Sequence, residues 1–195
     1  MELSVEEGPL IGRPFGGTAV LVKNELLSVS ECVYVCLNGF LLLKLVILFA
    51  LIIYLPCRGT PDRDLLCKEV LDNVLYWRAE HPSCCCIIDG DFNIDLDCFS
   101  SRSYMHDMIN SFLTDNNLTR CDLGFTPSVS YTYANESQNY YSKLDYFVSD
   151  GAVVTDFDII DISSNLSDHL PIIVKCLVNS TVVNSIGENL IMLGL

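Results

Sequence analysis

The sequence predicts an α/β sandwich, in which two packed β-sheets are flanked by helices. Two observations predict it. The spacing of apolar residues changes along the chain in the order strands, helix, strand, helix, strands. The 195 residues are also 50% hydrophobic and only 18% charged, which is enough for one domain with a sizeable core and excludes a disordered chain.

The chain begins with a short leader, a turn and two predicted strands. Residues 1–11 form a polar leader without the apolar stretch of a secretory signal, which indicates an intracellular protein. Residues 12–17 (GRPFGG) have turn composition and precede an apolar run, residues 18–22, which predicts a strand. Residues 32–37 are the second predicted strand, and the Asn-Gly pair at 38–39 predicts a turn after it.

Residues 40–55 (FLLLKLVILFALIIYL) are almost entirely apolar, with Lys44 as their only charge. One interpretation is one or two buried strands, because strands covered on both faces are continuously apolar. The other is a membrane helix, which would make the chain a single-span membrane protein without catalysis and needs about 20 apolar residues. The uncharged run from Leu45 to Leu55 is only eleven residues long. A span would also require the lysine to snorkel, so we favour strands.

Helical spacing predicts two helices. Thr60 is the predicted N-cap and Pro61 the first helical residue of a helix that ends near Arg78. Its apolar stripe, like that of a second helix over residues 104–116, recurs every three to four residues. The remaining apolar runs predict strands at residues 83–89, 130–134, 144–149, 157–162 and 170–178. Residues 179–195 have no clear pattern and form a predicted tail.

Polar residues that can bind a metal ion or a phosphate lie at or beside the ends of four predicted strands. They are Tyr54 in Tyr-Leu-Pro, Asp91 and Asn93 in Gly-Asp-Phe-Asn, Asp145 in Leu-Asp-Tyr, and Asp168 and His169 in Ser-Asp-His-Leu-Pro. A core holds such positions rigidly, so they are where a sheet builds a site. Each motif alone also fits a plainer interpretation, namely an exposed acidic turn or a structural histidine. A calcium loop fits poorly, because Ile94 stands where that loop requires glycine.

The charge of the chain limits the function further. A formal net charge of −14 argues against a protein that binds DNA by broad neutralisation of phosphates. It is compatible with an enzyme whose acidic residues hold a divalent cation beside a phosphate. The ten cysteines include no Cys-x-x-Cys pair, so we interpret them as reduced, mostly buried thiols rather than as a zinc site.

Taken in order, the motifs around Asp91, Asn93, Asp145 and His169 resemble those of the endonuclease/exonuclease/phosphatase superfamily, whose fold is deoxyribonuclease-like. The turn at 12–17, Tyr54-Leu-Pro and Tyr-Thr-Tyr at 131–133 are similar to the branch formed by endonuclease domains of LINE-type retrotransposons. The resemblance covers about residues 12–176. We therefore assign residues 12–178 to this domain, as its C-terminal three quarters.

The resemblance implies Mg²⁺-dependent hydrolysis of DNA phosphodiesters, in the nucleus, with a reverse transcriptase domain as the partner in the parent element. Asp91 would accept the proton of the attacking water, and Asn93 would help to hold the water and the phosphate. His169 would stabilise the phosphoryl oxygens as negative charge builds on them. Asp145 would bond the other ring nitrogen of His169 and orient it.

Three further residues receive roles by the same resemblance. Asp168 would support the metal, Tyr54 would contact the scissile phosphate, and Thr132 would bind the substrate. In the family, the glutamate that holds magnesium lies on a strand that precedes the glycine-rich turn by tens of residues. We therefore expect a fold incomplete at its N-terminus that binds Mg²⁺ weakly and turns over slowly. The alternative enzyme is a phosphatase of the same superfamily, although Ile94-Asp95 after Asn93 resembles the nuclease branch.

Overall fold

The computed structural model describes residues 30–36, 40–45, 48–98, 103–150, 152–161 and 167–178. Their strands are β1 (Ser30–Cys36), β2 (Phe40–Leu45), β3 (Leu48–Tyr54), β4 (Cys85–Asp91), β5 (Thr119–Arg120), β6 (Tyr133–Asn135), β7 (Tyr140–Ser142), β8 (Asp145–Asp150), β9 (Ala152–Ile159) and β10 (Ile172–Val178). The helices are α1 (Arg63–Glu80) and α2 (Tyr104–Asp115), with a 3₁₀ turn at Glu136–Gln138. The predictions for residues 1–29, 38–39 and 179–195 lie outside the described residues.

Six strands form the main sheet, in the order β1-β2-β3-β4-β8-β5. The β3–β4 pair is parallel, and α1 connects the two strands because a parallel pair needs a crossover. The other neighbours in the sheet are antiparallel. Strands β9 and β10 form a separate antiparallel pair, and β6 and β7 form a hairpin.

Within the main sheet, both faces of β3, β4 and β8 are covered by a hydrophobic core. One core combines alternate residues of β3, β4 and β8 with residues of both helices, among them Ile53, Ile88, Val148, Val74 and Ile109. The other combines the intervening sheet residues with those of β9 and β10, among them Ile87, Phe147, Phe157, Ile159 and Ile172. Helices therefore cover one face and the second sheet covers the other. The predicted α/β class with two packed sheets is confirmed.

Residues 40–55 are two strands rather than a helix. β2 and β3 pair in antiparallel register from Phe40–Ile53 to Lys44–Phe49. Leu48–Ile53 are at most 4% exposed, because both faces of β3 are covered. The strand interpretation is therefore confirmed, and the membrane-helix interpretation of this segment is wrong. Among the described residues, neither helix combines the length and the apolar character that crossing a bilayer requires.

The first helix begins later than predicted. Its N-cap is Asp62, with φ of +54° and no side-chain capping bond, so the assignment of Thr60 as N-cap is wrong. Thr60 instead closes a turn, because its N–H donates to the carbonyl of Cys57. The helix starts where Arg63 can donate to the carbonyl oxygens of Pro56 and Asn93, both at 2.8 Å. Those contacts outweigh the unfavourable position of a cation at a helix N-terminus.

Several strand boundaries differ from the predictions. The strand predicted at 157–162 is β9, which begins five residues earlier, at Ala152. Strands β5 and β7 were not predicted, since two or three residues carry no readable alternation. The strand predicted at 130–134 proves to be β6, half of a hairpin with β7. The strand predicted at 83–89 is β4, shifted by two residues so that it ends at Asp91.

Candidate active site

Three predicted site residues meet at one end of the main sheet. Asp91 ends β4, Asp145 begins the adjacent antiparallel strand β8, and the two are paired across the ladder. His169 lies just before β10 and is held by an isolated bridge to Tyr133 of β6. One carboxylate oxygen of each aspartate and one ring nitrogen of the histidine all lie within 4.8 Å of one another. Strand alternation places both carboxylates on the face covered by β9 and β10, as it does Ile87 and Phe147.

Asn93 fixes the carboxylate of Asp91. Its backbone N–H donates to Oδ1 of Asp91 and its side-chain amide donates to Oδ2, both at 2.8 Å. The same amide donates to the carbonyl of Leu55, which ties the turn to the end of β3. Asn93 has φ of +51°, a left-handed conformation that asparagine tolerates better than most residues. The tight turn thus returns the amide to the carboxylate two residues earlier.

Asp145 holds the imidazole of His169. Oδ2 of Asp145 lies 2.8 Å from Nδ1 of the ring, and the carboxyl is only 1% exposed. Burial lowers the pKa of His169, but the hydrogen bond and the charge of Asp145 outweigh it. With smaller contributions from Asp91 and Asp168, they raise the pKa of His169 above its ordinary value. The site therefore favours an imidazolium, which can donate hydrogen bonds to an anion.

Thr132 connects the strands that carry these two residues. Its hydroxyl oxygen accepts from the N–H groups of Leu144 and Asp145, at 2.9 and 3.0 Å. Its carbonyl accepts from the N–H of Leu170, beside His169. The side chain is fully buried, and the substrate-binding role expected of Thr132 stays a prediction. Its contacts are those of a residue that positions Asp145 and His169.

Tyr54 and Asp168 lie beside the cluster. Tyr54 is paired with Asp91 in the β3–β4 ladder, and its side chain is 47% exposed. Partial burial and the nearby charge of Asp91 raise the pKa of Tyr54, so its hydroxyl keeps its proton at neutral pH. Asp168 is half-buried, and its carbonyl accepts from the N–H of Ala134. The carboxylates of the observed cluster belong to Asp91 and Asp145, and the metal-binding role expected of Asp168 stays a prediction.

Asp89, on the same strand as Asp91, has a buried carboxyl that was not selected from the sequence. Asp89 is 3% exposed, and its Oδ1 has no hydrogen-bond partner among the described residues. Burial and the charge of Asp145 raise the pKa of Asp89 to about 8. The same two causes raise the pKa of Asp91 to about 7, against the hydrogen bonds from Asn93 and the charge of His169. Its position two residues before Asp91 on a strand places Asp89 on the same face, but its burial is a tertiary property.

A second group of residues missed from the sequence anchors the loop after Asn93. Oδ2 of Asp95 accepts from the Ser142 hydroxyl and from the N–H of Lys143, at 3.1 and 3.3 Å. Asp97 accepts two hydrogen bonds from the Arg120 guanidinium, at 2.7 and 3.0 Å. The Lys143 ammonium pairs with Asp97 and with the buried Asp122. The loop that follows Asp91 and the segment that precedes Asp145 are thereby held together.

Substituting Asp145 by asparagine tests the orienting contact. An amide of the same shape removes the negative charge beside the imidazole, so the pKa of His169 should fall. An NMR titration of the His169 ring in the wild-type protein and in Asp145→Asn measures this. The ring signals of His81 and His106, which lie elsewhere, report on the integrity of the fold. An unchanged His169 titration would remove Asp145 from this role.

The chain has recognisable relatives. A family model described as "Endonuclease/Exonuclease/phosphatase family" matches residues 9–169. No curated protein matches the sequence. Three solved structures share the fold, at TM-scores of 0.54, 0.53 and 0.52. They are a 3′ phosphatase from Neisseria bound to a product DNA hairpin, an endonuclease/exonuclease/phosphatase from Bacteroides vulgatus, and a family protein from Leptotrichia buccalis.

Identity to these three structures is 16%, 15% and 17%, and the alignments cover 69%, 72% and 70% of this chain. They cover 63%, 54% and 52% of the other chains, so this chain spans less than two thirds of their length. At such identity the structures show the fold alone. The family match extends over most of the sequence, including all the motifs that meet at the site. The chain therefore belongs to the endonuclease/exonuclease/phosphatase family.

Proposed function

We propose that this site hydrolyses a phosphodiester of DNA with the help of a divalent cation, as in the endonuclease domains of LINE-type retrotransposons. The proposal rests on one observation. Asp91 and His169 have side-chain atoms within 4.8 Å of each other at one end of the main sheet. Asn93 holds Asp91, and Asp145 holds His169. Hydrolysis of a phosphodiester needs a base for the attacking water and positive charge for the phosphoryl oxygens. The first pair supplies the base and the second supplies the charge.

Each residue has a definite part in the proposed reaction. The Asp91 carboxylate takes the proton of the attacking water as the water oxygen bonds to phosphorus and the bond to the leaving oxygen breaks. Since burial and Asp145 raise its pKa to about 7, Asp91 is a stronger base than an ordinary aspartate and is still largely ionised at slightly alkaline pH. The His169 imidazolium donates to a phosphoryl oxygen. Tyr54 is half exposed and paired with Asp91 in the β3–β4 ladder, and its hydroxyl would contact the phosphate.

The donor set fits a divalent cation such as Mg²⁺. Asp91 and Asp145 offer carboxylate oxygens, and Oδ1 of Asp145 is buried without a hydrogen-bond partner among the described residues. Mg²⁺ commonly binds to one or two carboxylates and keeps several waters. When bound, it would supply positive charge beside the phosphate. By family resemblance, Asp168 would support it from the adjoining segment. The parent element would supply the reverse transcriptase domain as partner.

Phosphate removal is the second candidate function. The structure from Neisseria with the same fold is a 3′ phosphatase bound to a product DNA hairpin. A base for water and a cation for phosphoryl oxygens also suit a phosphomonoester at a DNA 3′ end. The two candidate functions differ in the substrate. In a diester the DNA strand continues beyond the attacked phosphate, and in a monoester it ends there.

A hydrolysis assay with two substrates tests the proposal. Supercoiled plasmid reports cleavage of diesters, and a 3′-phosphorylated oligonucleotide reports release of phosphate. We expect slow nicking in millimolar Mg²⁺ and faster nicking in Mn²⁺, whose coordination is more forgiving, because the described cluster offers only two carboxylates. His169→Ala should remove the activity. Release of phosphate without nicking would favour the second candidate, and equal rates for wild type and His169→Ala would refute both.

A further inference from the structure

An aromatic row leads away from His169 along the β6–β7 hairpin. The His169 ring centroid lies 5.2 Å from that of Tyr133, which lies 6.2 Å from that of Tyr140. Tyr140 pairs with Asn135 across the hairpin, two positions beyond Tyr133, so both tyrosines lie on the same face. Tyr140 is 52% exposed. The Tyr140 ring is therefore exposed to solvent, and the Tyr133 ring lies between it and the imidazole of His169.

The neighbouring tyrosine of the hairpin has a different environment. Tyr141 pairs with Ala134 and so projects from the opposite face. Its ring packs on Tyr131 at 4.8 Å, and Tyr131 packs in turn against the core beneath β9 and β10. The contact with Tyr131 therefore gives Tyr141 a role in packing. Among the described residues, no such ring contact covers the exposed face of Tyr140.

The charges around the site do not favour binding through phosphates. The chain has 11 lysines and arginines against 25 acidic residues. Three cations among the described residues are engaged within the fold: Lys143 and Arg120 pair with Asp97 and Asp122, and Arg63 donates to two carbonyls. Stacking of a base on an aromatic ring needs no positive charge, so it can supply affinity that these cations cannot.

We propose that Tyr140, supported by Tyr133, is a stacking platform for a base of single-stranded DNA next to the phosphate at His169. This proposal rests on the proposed function, because it states which form of DNA the proposed hydrolytic site binds. Only an unpaired base can offer its face to Tyr140, since a duplex stacks its bases on one another and separating them costs free energy. The enzyme should therefore prefer DNA with unpaired bases, including the transiently unpaired segments of a supercoiled plasmid, to a relaxed duplex.

Binding without hydrolysis tests the platform. The full chain in EDTA is titrated into labelled single-stranded DNA, a duplex of equal length, and an abasic strand with the same number of phosphates. We expect single-stranded DNA to bind about tenfold more tightly than the abasic strand, which is the order expected for one stacked base. Affinity should change little with salt, because few phosphates are neutralised.

Two hairpin variants complete the test. Tyr140→Ala should lower the affinity for single-stranded DNA to that of the abasic strand, whereas Tyr140→Trp should retain it. Tyr141→Ala, an equally exposed tyrosine on the opposite face, is the matched control and should bind like wild type. Equal binding of the two single strands by the wild-type protein, including no measurable binding of either, would overturn the proposal without any variant. Base-dependent binding without hydrolysis would instead refute only the proposed function.

Discussion

Replacing Gly90 by alanine should prevent the domain from folding. Gly90 has φ of +150°, and a Cβ at this position would lie 1.8 Å from the carbonyl oxygen of Ile53 and 2.8 Å from its carbonyl carbon. Ile53 is paired with Gly90 in the parallel β3–β4 ladder, so the collision is with backbone rather than with a side chain that can rotate away. Relief requires opening the ladder at the centre of the main sheet. We expect a loss of about 4 kcal/mol or more in the free energy of unfolding.

Yield of soluble protein, circular dichroism and urea unfolding measure the effect. Gly124→Ala is the matched control, because Gly124 also has positive φ, +90°, but an added Cβ would meet nothing within 4 Å. That variant should show only the cost of an unfavourable backbone conformation, about 1–3 kcal/mol. If Gly90→Ala lost no more stability than Gly124→Ala, the close approach of β3 and β4 at this point would be wrong.

The elements that could be predicted are those with long apolar patterns. Helix α2 lies close to its predicted bounds of 104–116, because it has one apolar face. The buried strands predicted within residues 40–55 are observed as β2 and β3, because buried strands are continuously apolar. The parallel pairing of β3 with β4 through α1 was not predicted, because it depends on contacts between distant segments. The start of α1 was misplaced because Arg63 contacts Asn93, thirty residues away. Rules for helix capping use neighbouring residues only, so they cannot predict this contact.

The candidate site also combines features that could be predicted from the sequence with features that could not. Asp91, Asn93, Asp145 and His169 were identified because each lies in a short motif at a strand end, and the motifs occur in a specific order. The surroundings of Thr132 and Asp89 could not be predicted in this way. Thr132 was selected for a substrate-binding role, but its burial depends on the strands that surround it. Asp89 lacked any signal beyond its spacing from Asp91.

Replacing Asp91 by asparagine should lower turnover strongly, because it removes the proposed base. Asparagine has the same shape, so the contacts to the neighbouring turn can persist in part, but it cannot accept a proton from water at neutral pH. Loss of a general base typically lowers the rate by about a hundred- to ten-thousand-fold. The matched control is Asp72→Asn on α1, where the carboxylate is 63% exposed and only weakly paired with Lys68. That variant should turn over like wild type.

The pH dependence of the wild-type rate separates a base from a residue needed only for structure. Burial and the charge of Asp145 raise the pKa of Asp91 to about 7, so its basic form increases as pH rises through that value. The rate, measured as kcat/KM, should therefore rise about tenfold per pH unit below neutral, pass through a maximum, and fall at higher pH as the His169 imidazolium loses its proton. Bound metal would shift this rise to lower pH, because a nearby cation favours the ionised carboxyl. In Asp91→Asn the residual rate should lose this rise while Asp72→Asn keeps it. An Asp91→Asn variant that keeps both the rise and most of the rate would show that another group accepts the proton.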